Sequence, residues 1–289
     1  MNYMKKQTVM LLVVLISMSN FLLSCGNNMN KHTGMFEFDS IQVNETVHLF
    51  SDTAKPACNL IVNFTYISQS SDSLIKDSLN KYFIATSLGN NYKGLTPKEA
   101  VKQYTESYIR EYREDLEPAF LQDQKDTRKE DGTDIDAWYS YYKYVSSHIQ
   151  FYEGNLLIYR CRYEEYTGGA QGIYKTNYLN LNLKTMAPIH LDDLFVSNYK
   201  EALTDLLWNQ LMADNRVTTH QELEEMGYCS TGNLEPTENF YISKEGLTFH
   251  YNVYEITPYI MGAVDITIPY DMMQHLLNDE AYIIKEIRG

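Results

Sequence analysis

Cysteine is too scarce to hold this chain together: Cys25, Cys58, Cys161 and Cys229 are all that occur in 289 residues. None stands in a CxxC pair, which excludes the common zinc and dithiol spacings. Beyond Cys25 the remaining thiols cannot all pair with one another. One disulfide plus one free thiol would suit an oxidising compartment, and Cys161, inside the apolar run Leu156–Tyr163, reads as a buried, inert thiol. Positive charge is also short, with 24 Lys and Arg against 38 Asp and Glu, for a net −14. Repulsion on that scale excludes nucleic acid and phosphate polymers as ligands; it admits a cationic partner, or serves only solubility. The seven histidines form no HxH or HExxH, and no GxGxxG, Walker loop or GxSxG elbow occurs. No Ser, Cys or Thr nucleophile sits in a recognisable setting, so no cofactor, metal or catalytic residue is expected.

Long apolar runs are absent except at the start. There, Lys5 and Lys6 precede the short apolar stretch Val9–Leu23, interrupted by Ser17, Ser19 and Asn20. The segment is too short and too polar to span a bilayer and reads as a signal peptide over residues 1–24. Leu22-Leu23-Ser24-Cys25 matches a lipobox, with a small residue before the cut and a thiol after it to carry the lipid. Cys25 is therefore the expected lipidation site and membrane anchor. Loss of a segment with two lysines and no acid takes the net charge from −14 to −16. The residues after Cys25 lack an adjacent Asp and an acidic run, which suggests an outer-membrane anchor facing the periplasm, with surface display open.

Polar, aperiodic residues 25–39 suit a tether. The text then turns strand-like, and Leu60, Val62, Phe64 and Tyr66 alternate onto one face. Two amphipathic helices are expected. The first covers Ser73–Ser87, with Leu74, Ile75, Leu79, Tyr82, Phe83 and Thr86 on one stripe. The second begins at Pro97 behind the capping box Thr96-Pro97-Lys98-Glu99. The charged stretch 126–136 reads as a linker between an α+β domain over 40–125 and a second over 137–280. In the second, strands at Trp138–Phe151 and Asn155–Tyr166 form a hairpin about Gly154. Strand Ile173–Leu183, helix Asn198–Ala213 and a short helix at Gln221–Met226 follow. Strands Phe240–Ser243, Leu247–Tyr254 and Ala263–Ile268 then precede a helix at Asp271–Leu277, with Tyr282–Ile287 as a strand or tail. Without regular βαβ alternation the class is α+β, with an N-terminal sheet carrying two packed helices, then a mainly antiparallel sheet with helices.

Tyrosine is abundant, 25 residues against 11 Phe. The run Trp138-Tyr139-Ser140-Tyr141-Tyr142-Lys143-Tyr144 would place aromatics on both faces of a strand. They would serve either as a stacking platform for sugars or as ordinary cross-strand packing. The cluster Thr167-Gly168-Gly169-Ala170-Gln171-Gly172 is either a tight turn or a ligand loop in which Gln171 offers an amide. Asp192-Asp193 opens a helix, where acids favour the dipole. An enzymatic alternative would need Asp192, Asp193 or Glu255 in one cleft.

Three stretches in order carry a resemblance. Tyr166–Gly172 resembles the YTGGAHG signature of the DUF3298 (RsiV C-terminal-like) family, with Gln171 where the family has His. Asn180–Thr185 through Leu191-Asp192-Asp193-Leu194-Phe195 is similar to its strand, turn and LxDLF segment. Its ending is matched by Gly246-Leu247-Thr248-Phe249, Tyr254–Tyr259, Gly262 and Ile268-Pro269-Tyr270. The preceding region resembles the DUF4163 domain that commonly accompanies it. The resemblance implies an extracytoplasmic module associated with the envelope: the family includes a lysozyme-binding anti-sigma factor's sensing region and an accessory region of a peptidoglycan deacetylase. A non-enzymatic role is implied, binding a basic lysozyme-like protein or a cell-wall glycan. The accessory or enzymatic role on peptidoglycan is the alternative. The candidate ligand residues are Gly168, Gly169, Gln171, Trp138, Tyr142, Tyr254, Glu255 and Tyr259.

Overall fold

The computed structural model describes residues 35–127, 135–230, 232–278 and 281–288, so the signal peptide, Cys25 and most of the tether lie outside the described residues. The architecture is α+β, with a mixed six-stranded sheet in the order β1 to β6 and a three-stranded sheet β7-β8-β9. In the first sheet, β1 (Phe36–His48) pairs antiparallel with β2 (Ala57–Ser70). Strand β3 (Tyr141–Glu153) runs parallel to β2, through Cys58↔Tyr141 to Asn63↔Ser146. The rest, β4 (Leu156–Thr167), β5 (Ile173–Asn182) and β6 (Ala187–Pro188), is antiparallel.

The parallel step follows from the helices between β2 and β3, since a parallel return needs a crossover. Those helices are α1 (Ser73–Leu88), capped by the Asp72 carboxylate at Leu74 N–H (2.8 Å), and α2 (Pro97–Thr127). At the start of α2 the Thr96–Glu99 box closes both ways, Thr96 N–H to Glu99 Oε2 at 3.1 Å and Glu99 N–H to Thr96 Oγ1 at 3.4 Å. Both helices cover one sheet face. Leu79, Phe83 and Ile84 pack with Leu60, Val62 and Phe64, as the alternation in β2 requires. Leu74, placed on the apolar stripe from sequence, is exposed instead: at about 100° per residue it points away from Leu79 and Phe83, while its neighbour Ile75 packs on the core.

Strand β4 is buried on both faces over its first four residues, Leu156–Tyr159. Leu157, Tyr159 and Cys161 face the helices, while Leu156 and Ile158 join a second core. Its unbroken apolar run is the sequence mark of such a strand. The second core contains β7 (Phe240–Ile242), β8 (Gly246–Tyr251) and β9 (Val264–Pro269). With them pack α4 (Leu191–Leu194), α5 (Tyr199–Asn215), α6 (His220–Glu225), α7 (Tyr270–Met273) and α8 (Tyr282–Arg288).

Asparagines fasten β5 to the smaller sheet. Asn180 Nδ2 donates to Phe240 O at 2.7 Å, and its Oδ1 accepts Ile242 N–H at 3.2 Å. In the other direction Asn239 Oδ1 accepts Tyr178 N–H (2.9 Å) and its Nδ2 donates to Thr176 O (2.9 Å). Asn252 Oδ1 takes Thr176 N–H at 2.6 Å. A carboxamide offers the donor and acceptor of a missing peptide group, so two buried strand edges that cannot pair directly are each satisfied by the other's side chains.

Several sequence expectations need correction. Residues Phe36–Asp39 are the start of β1, not tether. The segment 126–136 is no boundary between separate sheets: β2 and β3, which flank it in sequence, are neighbours in one sheet, and Phe36–Gly289 is one compact unit. Residues 126–127 of that segment belong to α2. Trp138 lies in a short helix, α3 (Ile135–Tyr139), so β3 starts only at Tyr141. Tyr282–Arg288 is helical. Its β-branched residues suggest a strand, but Ile283, Ile284 and Ile287 fall at helical spacing and are buried.

Candidate ligand-binding site

The β3–β4 register sets Tyr142 opposite Tyr166, so both rings stand on the sheet face away from α1 and α2. Just past Tyr166 the chain turns through Gly168 (φ 81°) and Gly169 (φ 96°), a region that disfavours side chains. A Cβ on Gly168 would sit 2.4 Å from the Trp138 carbonyl oxygen, so glycine is what lets this turn rest on α3. The Tyr166 hydroxyl donates to Gly169 O at 2.8 Å and ties the turn to its own strand.

Gln171 leaves the turn and donates through Nε2 to the Tyr254 hydroxyl, joining the glycine turn to the loop after β8. Tyr254 itself has φ 69°, the bend being fixed by Tyr254 N–H to Thr257 O (3.0 Å) and Asn252 N–H to Glu255 Oε2 (2.8 Å). Tyr254 and Tyr259 have ring centroids 5.9 Å apart, and Tyr259 meets Tyr174 edge-on at 5.8 Å. Below these rings a cleft of about 150 Å³ is lined by Tyr142, Arg162, Glu164, Tyr166, Tyr174 and Tyr259, among others.

Local charges largely cancel: Arg162 pairs with Glu164 and Lys143 with Glu165, each at 2.8 Å. Burial, with Glu164 close by, pushes the Tyr142 phenol up, so at neutral pH it is a hydrogen-bond donor. The arrangement offers ring faces, phenol donors and a paired guanidinium and carboxylate in a small open cleft. Such groups can stack on apolar faces and hydrogen-bond hydroxyls.

Of the sequence-derived residues, Tyr142 and Tyr259 line the cleft, Gly168 and Gly169 form the adjoining turn, and Gln171 bonds Tyr254 beside it. Trp138 is 59% exposed, on α3 rather than the strand, and Tyr142 is half-buried on the open sheet face. Glu255 is not presented to the cleft, since its carboxylate caps Asn252. Asp193 likewise caps His190 N–H at 2.8 Å, and Asp192 bonds the Tyr199 phenol, which burial and that bond together push up. Each of these carboxylates is thus engaged by groups of its own segment. Sequence reasoning missed Arg162, Glu164 and Tyr174. Their alternation was visible, but the cross-strand register that puts them beside Tyr142 was not. Cys58, Cys161 and Cys229 are free thiols. Among the described residues no helix is long and apolar enough to cross a membrane, and no group of three His, Cys, Asp or Glu is placed to hold a metal.

A family model described as DUF3298, a protein of unknown function, matches residues 192–271. A crystal structure of a DUF3298 family member from Bacteroides fragilis NCTC 9343 is 60% identical, with a TM-score of 0.83, covering 89% of this chain and 99% of that one. A DUF3298 family protein from Pseudomonas aeruginosa PAO1 shares the fold at 12% identity and a TM-score of 0.59, covering 85% of this chain and 96% of that one. No curated protein matches the sequence. Identity at that level over almost the whole of a solved relative means that this chain belongs to the DUF3298 family.

Proposed function

We propose that this protein is a lipid-anchored envelope protein that binds, without turning it over, a cell-wall glycan at the tyrosine-lined cleft. The observation that carries the reading is the convergence of Tyr142, Tyr166, Tyr174 and Tyr259 on one cleft, beside the Gly168–Gly172 turn. Aromatic faces with flanking hydrogen-bonding groups suit pyranose rings, which present an apolar face and a rim of hydroxyls. The lipobox ending at Cys25 supports attachment to a membrane, and the residues after it support an outer-membrane position facing the periplasm. The strand pair β1–β2 with α1 and α2 is the region that resembles DUF4163.

Co-sedimentation with purified peptidoglycan tests the reading. The protein is expected in the pellet, and an empty pellet overturns it. A second reading, a basic lysozyme-like protein as ligand, is favoured by the net charge of −14. It requires heat on titration with lysozyme at low ionic strength, falling as salt is added.

A further inference from the structure

The sheet face opposite α1 and α2 is covered by β7–β9 only toward β5, where Leu156, Ile158 and Tyr178 meet the second core. Over β1–β4 the register builds an open face in rows. Asn63 lies beside Ser146, which lies beside Arg162, and His148 lies opposite Arg160. Toward β1 the rows end in uncharged residues, such as Gln42 opposite Asn63 and Asn44 opposite Ile61. The face opens onto the tyrosine cleft, since Arg162 lines both.

Charge on this face departs from that of the whole chain. Arg162 is neutralised by Glu164 at 2.8 Å. Arg160 makes no ion pair among the described residues, and its Nε is buried with no hydrogen-bond partner. Its guanidinium lies over the Tyr178 ring, 5.8 Å from the centroid. Asp265, which like Arg160 acts on the Tyr178 phenol, is held by His250 Nδ1 at 2.6 Å. A half-buried guanidinium normally spends its donors on a carboxylate, and an orphaned charged donor is costly. Burial, and then the Arg160 charge, hold the His148 ring below its usual range.

We propose that Arg160, with His148 opposite it, is a carboxylate-binding position, and that the ligand is a glycan carrying spaced carboxylates that runs from the tyrosine cleft across this face. The inference rests on the glycan reading above and narrows it. A polymer with a charge on every unit would be repelled by the remaining acidity, whereas the one unpaired guanidinium on this face serves an isolated carboxylate.

The test is calorimetric titration of the mature chain with two probes. One is an oligosaccharide of alternating N-acetylglucosamine and N-acetylmuramic acid with free lactyl carboxylates; the other is neutral chitotetraose. The carboxylated probe is expected to bind about tenfold tighter or more. Arg160→Gln should erase that preference and leave chitotetraose binding unchanged. Arg160→Met, which keeps the apolar stem over Tyr178, gives the same readout if glutamine disturbs packing. Equal wild-type affinities for the two probes, or a preference that survives both substitutions, overturn the carboxylate position while leaving the glycan reading standing. Binding of neither probe overturns both.

Discussion

Asn180 offers a sharp test of how the two sheets are joined. It is 3% exposed, and its amide holds Phe240 O at 2.7 Å and Ile242 N–H at 3.2 Å on the outer edge of β7. Asn180→Leu keeps the branched four-atom skeleton and adds apolar surface, so simple burial would predict no loss or a gain. The hydrogen-bond account predicts the opposite, because a carbonyl and an N–H are left buried without partners. At about 1–3 kcal/mol for each orphaned group, the loss is about 2–6 kcal/mol. For a unit of this size that corresponds to a fall of roughly 5–20 °C in Tm. Differential scanning calorimetry reads the midpoint, and hydrogen exchange on β7 should show Ile242 N–H losing protection. A leucine variant as stable as the wild type would refute the reasoning.

Further outcomes follow from other contacts. Tyr159 stacks on Phe83 with centroids 4.1 Å apart, and its hydroxyl donates to Thr65 O at 3.0 Å while meeting Ser87 Oγ at 2.8 Å. Tyr159→Phe keeps the stack and should cost about 1–3 kcal/mol in urea unfolding. Ser87→Ala should add less in that background than alone, and strict additivity would deny the network. Burial pushes the Cys58 thiol up to about 12 and that of Cys161 up to about 11. Of Cys58, Cys161 and Cys229, Ellman's reagent near neutral pH should therefore reach Cys229 alone in native protein, and the other two only after unfolding. Glu222 accepts the N–H groups of Thr218 and Thr219, both at 2.9 Å, which hold its carboxyl below the usual 4.5. A depressed folded value means its stabilisation is complete above the ordinary carboxylate range and is lost as pH falls through the folded value. The stability gap between wild type and Glu222→Ala should accordingly be present at about pH 7 and closed near about pH 2. A gap unchanged across that range would contradict the capping role.

Much of the fold was legible because its signals are local. The alternation of Leu60, Val62 and Phe64, the Thr96–Glu99 box and the unbroken apolar run of β4 each dictate an element without help from distant residues. What was hidden is long-range. The parallel contact of β2 with β3 depends on a crossover through two helices, so the charged segment after α2 looked like a domain boundary. The asparagines at 180, 239 and 252 are polar residues with no partner visible in the sequence, and only the approach of two strand edges makes them structural. At the site, tyrosine abundance and glycine spacing are visible in the sequence, whereas the register that lines the cleft is not. Glu255 caps Asn252 N–H, and a short-range cap and a ligand contact look the same in sequence. Arg160 carries no local signal at all, since its meaning lies in the partners it lacks.

The central claim is that the tyrosine-lined cleft holds the ligand, and peptidoglycan co-sedimentation of Tyr259→Ala beside the wild type tests it most directly. Tyr259 packs against Tyr174 and Tyr254 at the surface and belongs to neither main core, so the variant should fold normally. Loss of one stacking face should weaken retention by about tenfold. Wild type in the pellet with Tyr259→Ala largely in the supernatant is the predicted result; equal retention of both proteins would contradict it.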